Sequence, residues 1–395
     1  MLNTLAKARP ARSQLVLSGV LLWLAGFYLR IPILVAPALA PSIADDLGLT
    51  QALTGALTTL PILMLAIGAM PGSLAISRFG PRNTLALAMV VMVVGSAGRG
   101  LVPDITTLMV ASAVMGLGVA MMQPALPALL SRWLPPHHLA IGSAIYMNGM
   151  LVGEFTGAGV TLPVIMPLVD HSWRLTLIVW SLPALMVAAL LFLPRPAQVR
   201  PGRRSAWLPD WRNPLTLKLG LLLGLSGCIF FGLNAYMGNL LAQRGELELL
   251  PDALFWYNLA QVVASLLMLK MARPWVGRKS VIVVLAIASL LGTLGAALLD
   301  GWLAIASATF MSFCAGTLLI LLVALPPLLV PAEATGQLSA GNFLVGYTLA
   351  FGVPMLGGVI ADATGDVRHA LFTMVVYGVA VLPIAWKLDF SARSV

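Results

Sequence analysis

Hydrophobic residues along this chain fall into twelve long runs, each separated from the next by a short polar segment. A helix of about 20 apolar residues crosses the roughly 30 Å of hydrocarbon in a bilayer. Lipid offers no partners to backbone N–H and C=O groups, so such runs must be helical. The alternating segments of a membrane β-barrel are absent. The predicted spans are 14–40, 51–75, 83–102, 105–130, 140–167, 173–194, 214–242, 252–273, 280–299, 302–329, 335–361 and 369–388.

Composition supports a membrane protein and excludes a soluble one. Hydrophobic residues make up 59% of the 395 residues and charged residues only 9%, whereas soluble proteins carry about a quarter charged residues. The surface must therefore face lipid. The two cysteines, Cys228 and Cys314, lie within apolar runs and suggest no disulfide framework.

The basic residues predict the orientation. With both termini in the cytoplasm, 18 of the 23 lysines and arginines lie on the cytoplasmic side, the exceptions being Arg30, Arg99, Arg174, Arg244 and Arg368. Ten of the 14 acidic residues then lie outside. This bias is the positive-inside rule. It predicts a multi-pass protein of the bacterial inner membrane, and the first run continues too far to be a signal peptide, so it is expected to remain as a span.

The chain is predicted to have two six-helix halves, 1–194 and 214–395, joined by a cytoplasmic linker at 195–213. Three short motifs recur in the same order: GPR at 80–82 and GRK at 277–279, ALPALL at 125–130 and ALPPLL at 324–329, and LVG at 151–153 and 344–346. Their offsets are 197, 199 and 193 residues. This pattern indicates a duplication whose halves are related by a pseudo-two-fold axis along the membrane normal.

Arg30 is the most informative residue because it lies near the middle of the first predicted span. A guanidinium stays charged in proteins, and placing it at mid-membrane costs at least about 2.5–3.5 kcal/mol. It must therefore face a cavity or a buried partner. Its planar fork suits carboxylates and other small oxyanions. Two interpretations stay open: Arg30 binds an anionic substrate, or it pairs permanently with a buried acid or helix carbonyls.

Glu154 is the one acid inside a predicted span. Three roles stay open for it: a proton carrier, the counter-ion of Arg30, or a hydrogen-bonding residue at a helix contact. Burial can raise the pKa of such a carboxyl group, which would suit proton coupling. Gly149, Gly153 and Gly157 flank it at four-residue spacing, a pattern that lets membrane helices approach closely.

Further polar and aromatic residues lie within the runs, where amides are costly unless they are paired or hydrated. They are Tyr28, Gln123, Tyr146, Asn148, Asn234, Tyr236, Asn239, Trp256, Tyr257, Asn258, Gln261, Asn342 and Tyr347. The predicted substrate-binding set consists of Arg30 together with Tyr28, Asn148, Asn234, Tyr257, Gln261, Asn342 and Tyr347, with Glu154 as the proton-coupling residue.

No sequence motif points to catalysis or to a cofactor. A Walker loop, GxSxG and HExxH are all missing, and the four histidines fall in loops without metal-site spacing. We predict neither an enzyme nor a cofactor, metal or nucleic-acid partner. The expected partners are a small solute, protons and the lipid bilayer, and the expected state is a monomer.

Twelve spans, the duplicated halves and the basic linker resemble the major facilitator superfamily. The segment GSLAISRFGPRNT, after the second span, is similar to the superfamily's cytoplasmic signature, although Ser77 stands where the signature has an aspartate before Arg78. The resemblance implies a transporter of the major facilitator fold that works by alternating access.

More narrowly, the chain resembles the cyanate and 2-nitroimidazole permease family. The similar segments are YLRIPILVAPALAPSIADDLGLT, GALTTLPILMLAIGAMPG, ALPALLSRWLPP and GQLSAGNFLVGYTLAFGVPMLGGVIADATG. The family's asparagine-leucine-arginine-proline element reads Tyr28-Leu29-Arg30-Ile31-Pro32 here, so the arginine carries over and the asparagine does not. Glu154 stands where that family has a small residue. The resemblance implies a small anion or a compact polar heterocycle as substrate.

The sequence thus predicts a secondary active transporter that takes up a small anion with protons. A proton-coupled efflux antiporter for drug-like compounds is the alternative, which Glu154 favours and Arg30 opposes. A membrane enzyme or sensor would need a clustered polar site or a signalling domain, and the sequence shows neither.

Overall fold

A computed structural model of the chain describes residues 12–134, 138–193, 211–330 and 332–388, and these ranges are helical with no β-strand. The described residues of the predicted first half form seven α-helical segments, and some membrane spans consist of two of these segments. They are α1 (Arg12–Leu47), α2 (Gln51–Gly98), α3 (Ile105–Trp133), α4 (Leu139–Gly159), α5 (Met166–Leu168), α6 (Trp173–Ser181) and α7 (Pro183–Leu190).

The described residues of the predicted second half form seven further α-helical segments. They are α8 (Pro214–Arg244), α9 (Leu250–Trp275), α10 (Lys279–Leu298), α11 (Gly301–Val323), α12 (Pro326–Leu329), α13 (Ala332–Thr364) and α14 (Arg368–Lys387). The proposed linker, 195–213, lies mostly outside the described residues, so the exact division into halves stays a prediction.

The segment α2 carries two of the predicted spans, which are two helices joined at a kink. It bends at Gly80, whose φ of 77° and ψ of 161° are not helical. Glycine tolerates a positive φ because it has no Cβ. The bend lets 51–75 and 83–102 cross in opposite directions.

A second irregularity divides the fifth predicted span. After α4, the five residues Thr161–Ile165 form a π-helical turn, and the helical axis bends by 56° between Gly159 and Thr161. The hydroxyl of Thr161 donates to the Gly157 carbonyl at 2.6 Å and accepts from the Trp180 indole at 3.0 Å. These bonds satisfy polar groups where the helical ladder is disturbed.

Together the helices account for the twelve predicted spans. Ten segments of the described chain are long and apolar enough to cross a membrane, and the bent pair that begins at Ile141 is an eleventh. Helix α9 coincides with the remaining run, 252–273. The all-α prediction with twelve transmembrane helices is therefore confirmed.

The glycine face of α4 packs directly on α1, as its spacing predicts. A Cβ added at Gly149 or Gly153 would collide with the carbonyl oxygens of Trp23 and Phe27, and one at Gly157 would lie 3.0 Å from that of Ile31. The two backbones are in contact along three turns. This packing places Glu154, which follows Gly153, beside the turn of α1 that carries Arg30.

In the described part of the chain, the main contacts between the two halves are those of α1 with α8, of α2 with α8 and α13, and of α4 with α9. Arg30 and Glu154 lie on two of these contacting helices, α1 and α4. The candidate site is therefore at the boundary between the halves, where a carrier needs its substrate site.

Candidate functional site

Arg30 is buried at the centre of the 36-residue helix α1, with 5% of its surface exposed. Its Nε and Nη1 atoms have neither solvent contact nor a hydrogen-bond partner. The described carboxylates form no ion pair with it. A buried guanidinium without an ionic partner is costly, and two of its donors are unpaired among the described residues.

Arg30 contacts an aromatic ring on a helix of the second half. Its guanidinium carbon lies 5.5 Å from the centre of the Phe231 ring on α8, within the range of a cation–π interaction. The face of the Phe231 ring stabilises the positive charge of Arg30. This interaction does not require any N–H group of Arg30 to donate a hydrogen bond. Sequence reasoning missed Phe231, because FF at 230–231 reads as part of an ordinary apolar run.

Glu154 is buried to the same degree, with 5% exposed. Electrostatic attraction acts between its carboxylate and Arg30, yet the two side chains make no direct ion pair among the described contacts. The arrangement differs from the permanent pair considered from the sequence.

Tyr257 on α9 extends the site into the second half. Its ring stacks on Phe230 with centroids 5.4 Å apart and planes at 10°, and its hydroxyl donates to the Phe230 carbonyl at 2.9 Å. Tyr257 lies on α9, which packs against α4, the helix that carries Glu154. Tyr257 thus forms a wall of the candidate site near Glu154, with its own donor already engaged.

Three other predicted residues of the second half use their amides inside that half. Asn234 and Asn258 exchange hydrogen bonds at 3.3 and 3.2 Å. Gln261 donates to the Ser312 carbonyl at 2.8 Å. Asn342, with its amide oriented to suit its surroundings, donates to the carbonyls of Leu338 and Thr216 at 3.0 and 3.1 Å. These bonds connect helices and fix the shape of the second half.

The remaining predicted residues differ in their surroundings. Tyr28 is buried two residues before Arg30, with its ring edge on Phe27 at 5.7 Å. Asn148 is exposed and accepts a hydrogen bond from the Trp23 indole at 2.9 Å. The hydroxyl of Tyr347 lies 3.4 Å from Gln123 Nε2, across the boundary between the halves.

A second buried arginine was not among the predicted site residues. Arg99 is 1% exposed, and its Nη2 donates to the Pro32 carbonyl at 2.7 Å and to the Ser96 hydroxyl at 3.1 Å. It therefore attaches the end of α2 to α1, two residues beyond Arg30. Its position at the end of a run gave no signal of burial.

The described residues contain no group of three or more His, Cys, Asp or Glu side chains placed to hold a metal ion. The candidate site combines one cation, one acid, aromatic faces and a phenol.

Comparison with known families and proteins shows which family the chain matches. The sequence profile of the Major Facilitator Superfamily matches residues 15–345. The 2-nitroimidazole transporter of Escherichia coli (strain K12) is 26% identical over 388 residues, covering 96% of both chains. The cyanate transport protein CynX of the same organism is 25% identical over 356 residues, covering 88% of this chain and 91% of that one. The resemblance noted in the sequence is confirmed.

Solved structures show the same fold at low identity. A bacterial homolog of the human lysosomal transporter Spinster, inward-facing and occupied, superposes with a TM-score of 0.75 at 15% identity, covering 96% of this chain and 97% of that one. A D-xylose-proton symporter gives a TM-score of 0.75 at 15% identity and covers 96% and 100%.

Proposed function

Since this chain belongs to the Major Facilitator Superfamily and is a multi-pass membrane transporter, we propose that it takes up a small anion by alternating access, coupled to protons. In this proposal both termini are cytoplasmic, the membrane is the bacterial inner membrane and the protein works as a monomer. Arg30 binds the anion near mid-membrane, between the two halves.

The observation that carries the proposal is the state of Arg30. Arg99, which joins two helices, donates two hydrogen bonds through Nη2, although its Nε has no partner among the described residues. Arg30 donates none of the hydrogen bonds in the described part of the chain, and its Nε and Nη1 are both unpaired while the residue is 5% exposed. A small oxyanion would satisfy such donors with charge-assisted hydrogen bonds.

The aromatic surroundings support a compact planar solute. Phe231 lies against the guanidinium, and the stacked Phe230 and Tyr257 rings continue this surface. Two similar transporters carry the names of 2-nitroimidazole and cyanate, one a flat heterocycle and the other a small anion. We propose a substrate of this size and shape.

Glu154 is the proposed proton carrier. Its carboxylate acts on Arg30 electrostatically, so an ionised Glu154 competes with an anion for the same positive charge. Protonation of Glu154 removes that competition and favours anion binding. Anion and proton would then bind together and be released together, which is symport.

The other proposed pocket residues fall into two roles. Tyr28, Asn148 and Tyr347 lie on helices at the boundary and are proposed to contact the solute during the cycle. Asn234, Tyr257, Gln261 and Asn342 are bonded within the second half. They are proposed to shape the wall rather than donate to the solute.

The alternative function, proton-coupled efflux of drug-like compounds, has one observation in its favour. Glu154 is a buried acid, and the neighbouring Phe155 packs edge-on against Phe255 at 5.0 Å, surroundings that would suit a lipophilic cation. The nearby charge of Arg30 opposes a cation at the same place. The test below separates the two functions.

The experiment measures ligand-dependent thermal unfolding of the purified protein in detergent. The probes are sodium cyanate, sodium nitrate and sodium formate as anions, 2-nitroimidazole as a heterocycle, and tetraphenylphosphonium as a lipophilic cation. We expect an anion to raise the unfolding temperature of the wild type and not of Arg30→Ala. Arg368→Ala is the control, because that arginine is exposed and pairs with Asp366.

Uptake of the responding anion into proteoliposomes completes the test. Wild type and Arg368→Ala are expected to accumulate it, and Arg30→Ala is expected to lose at least tenfold in rate. Equal uptake by Arg30→Ala would remove Arg30 from the site. Stabilisation by tetraphenylphosphonium alone would overturn the anion assignment in favour of efflux.

A further inference from the structure

The N-terminus of α2 is capped by a residue from the other half of the protein. Asp362, near the end of α13, accepts the backbone N–H of Gln51 through Oδ1 at 2.6 Å and that of Ala52 through Oδ2 at 2.9 Å. The first N–H groups of a helix have no partner within it and carry a partial positive charge. A carboxylate is the side chain best suited to bind both.

The capping of α2 is shared between the halves. The hydroxyl of Thr50, in the first half, accepts the N–H of Leu53. Gln51 makes a further bond across the boundary, because its side-chain oxygen accepts from Asn239 Nδ2 on α8 at 2.5 Å. Three hydrogen bonds thus join the start of α2 to the second half through Asp362 and Asn239.

The backbones come into close contact beneath these bonds. A Cβ added at Gly358, one turn before Asp362 on α13, would lie 2.6 Å from Cα and 2.8 Å from N of Ala52. A Cβ at Gly55 would collide with the hydroxyl of Tyr236, which itself donates to the Pro354 carbonyl at 2.8 Å. Glycine at both places permits the halves to touch.

We infer that Asp362, with Gln51 and Asn239, is a latch that holds this face of the transporter closed and must open once in every transport cycle. The latch lies opposite the chain termini, on the outer face in the proposed topology. The inference rests on the alternating-access part of the proposed function and is independent of the identity of the substrate.

The latch acts through geometry as well as charge. When α2 and α13 separate, the hydrogen bonds between the Asp362 carboxylate and the N–H groups of Gln51 and Ala52 must be replaced by hydrogen bonds to water. Asp362→Asn leaves one oxygen to accept where the carboxylate had two, and it removes the negative charge at the helix terminus. The closed state is then weakened while the helices themselves keep their packing.

The test measures the distance between the two halves on this face by pulsed electron paramagnetic resonance. Spin labels are attached to Leu101→Cys and Leu247→Cys, which are 75% and 40% exposed, lie on opposite halves and take no part in the latch. The native Cys228 and Cys314 are buried and remain unlabelled. The protein is the full chain in lipid nanodiscs.

Two variants and two controls define the expected result. Asp362→Asn is expected to increase the long-distance population at least threefold, and Gly358→Ala is expected to increase it as a steric wedge. Asp366→Asn removes a carboxylate that binds only Arg368 within its own half. Gly352→Ala adds a Cβ on the same helix with nothing within 4 Å. Both controls should give the wild-type distribution.

The inference is overturned if Asp362→Asn keeps the wild-type distances while Gly358→Ala opens the face, or if neither variant changes them. Equal opening in Asp366→Asn would also overturn it. Should Asp362→Asn not fold, Gln51→Ala tests the Asn239 bond with the same expected direction. Arg30 is intact in every variant, so the anion-dependent thermal shift reports separately on the proposed function.

Discussion

The guanidinium carbon of Arg30 lies 5.5 Å from the ring centre of Phe231, and the two residues come from opposite halves of the chain. The buried charge of one half is thus stabilised by the other. In the proposed function, a solute bound by Arg30 would change this contact and would thereby link ligand binding to the relative position of the halves. The first prediction concerns this pair.

Phe231→Leu should destabilise the ligand-free protein by about 1–2 kcal/mol beyond the loss of apolar contact, because a cation–π contact in a desolvated place is worth about that much. A double-mutant cycle with Arg30→Met isolates the interaction free energy between Arg30 and Phe231. In the Arg30→Met background, Phe231→Leu should lower the free energy of unfolding only by the amount that the lost apolar packing accounts for. Thermal unfolding of the four proteins gives the measurement, and equal costs in both backgrounds would contradict the pairing.

Arg30→Met and Arg99→Met should have opposite effects, although both remove a buried arginine. Arg99 is bonded to Pro32 and Ser96, so its loss should destabilise the fold by about 1–3 kcal/mol, the penalty for unsatisfied buried partners. Its loss should not change anion affinity. Arg30 lacks such bonds, so Arg30→Met should be neutral or stabilising and abolish anion binding.

Unfolding temperatures and anion-dependent shifts, measured side by side on the two variants, test this contrast. If Arg30→Met proved as destabilising as Arg99→Met, Arg30 would be a structural residue with a partner, and the anion site would be excluded.

Glu154→Gln should separate anion movement from the proton gradient. The amide has nearly the same shape but carries no titratable proton, so accumulation driven by an inward proton gradient should fall at least tenfold. Exchange of anion across the membrane at equal pH should continue. Proteoliposomes loaded with a pH-sensitive dye report proton entry on addition of the anion. Undiminished proton entry in Glu154→Gln would assign the coupling to another group.

Gly153→Ala should be destabilising because the new methyl group would meet the Phe27 carbonyl on α1. Overpacking of this kind costs about 1–3 kcal/mol. Gly352→Ala is the matched control, since its Cβ has open space. Thermal unfolding should show a loss for the first and little change for the second. Similar values for both would mean that α1 and α4 separate easily at this contact.

The fold could be predicted to a large extent from the sequence. The spans follow from apolar runs, because lipid leaves the backbone no alternative to helix. The close approach of α4 to α1 follows from glycines at four-residue spacing. The polar residues near Gly80 correctly marked the connection between the second and third spans, but hydropathy did not show that this connection is a sharp kink at a residue with positive φ.

The candidate site was predictable only in its charged members. Arg30 and Glu154 are conspicuous because charge is rare within spans. Asn234, Gln261 and Asn342 looked equally polar in sequence, yet the partners that occupy their amides lie up to 126 residues away along the chain (Asn342 with Thr216). Only the packing of helices decides which polar groups are satisfied and which remain free for a ligand.

By itself, the sequence determined that this protein spans a membrane many times and that one arginine lies deep within it, because both follow from the local cost of placing residues in lipid. The tertiary structure alone decided that Arg30 lacks hydrogen bonds, that Phe231 is placed against it, that Arg99 is the helix-joining arginine and that Asp362 caps α2. Those relationships join residues far apart in the chain, and only the packing of the helices brings their side chains within a few ångströms.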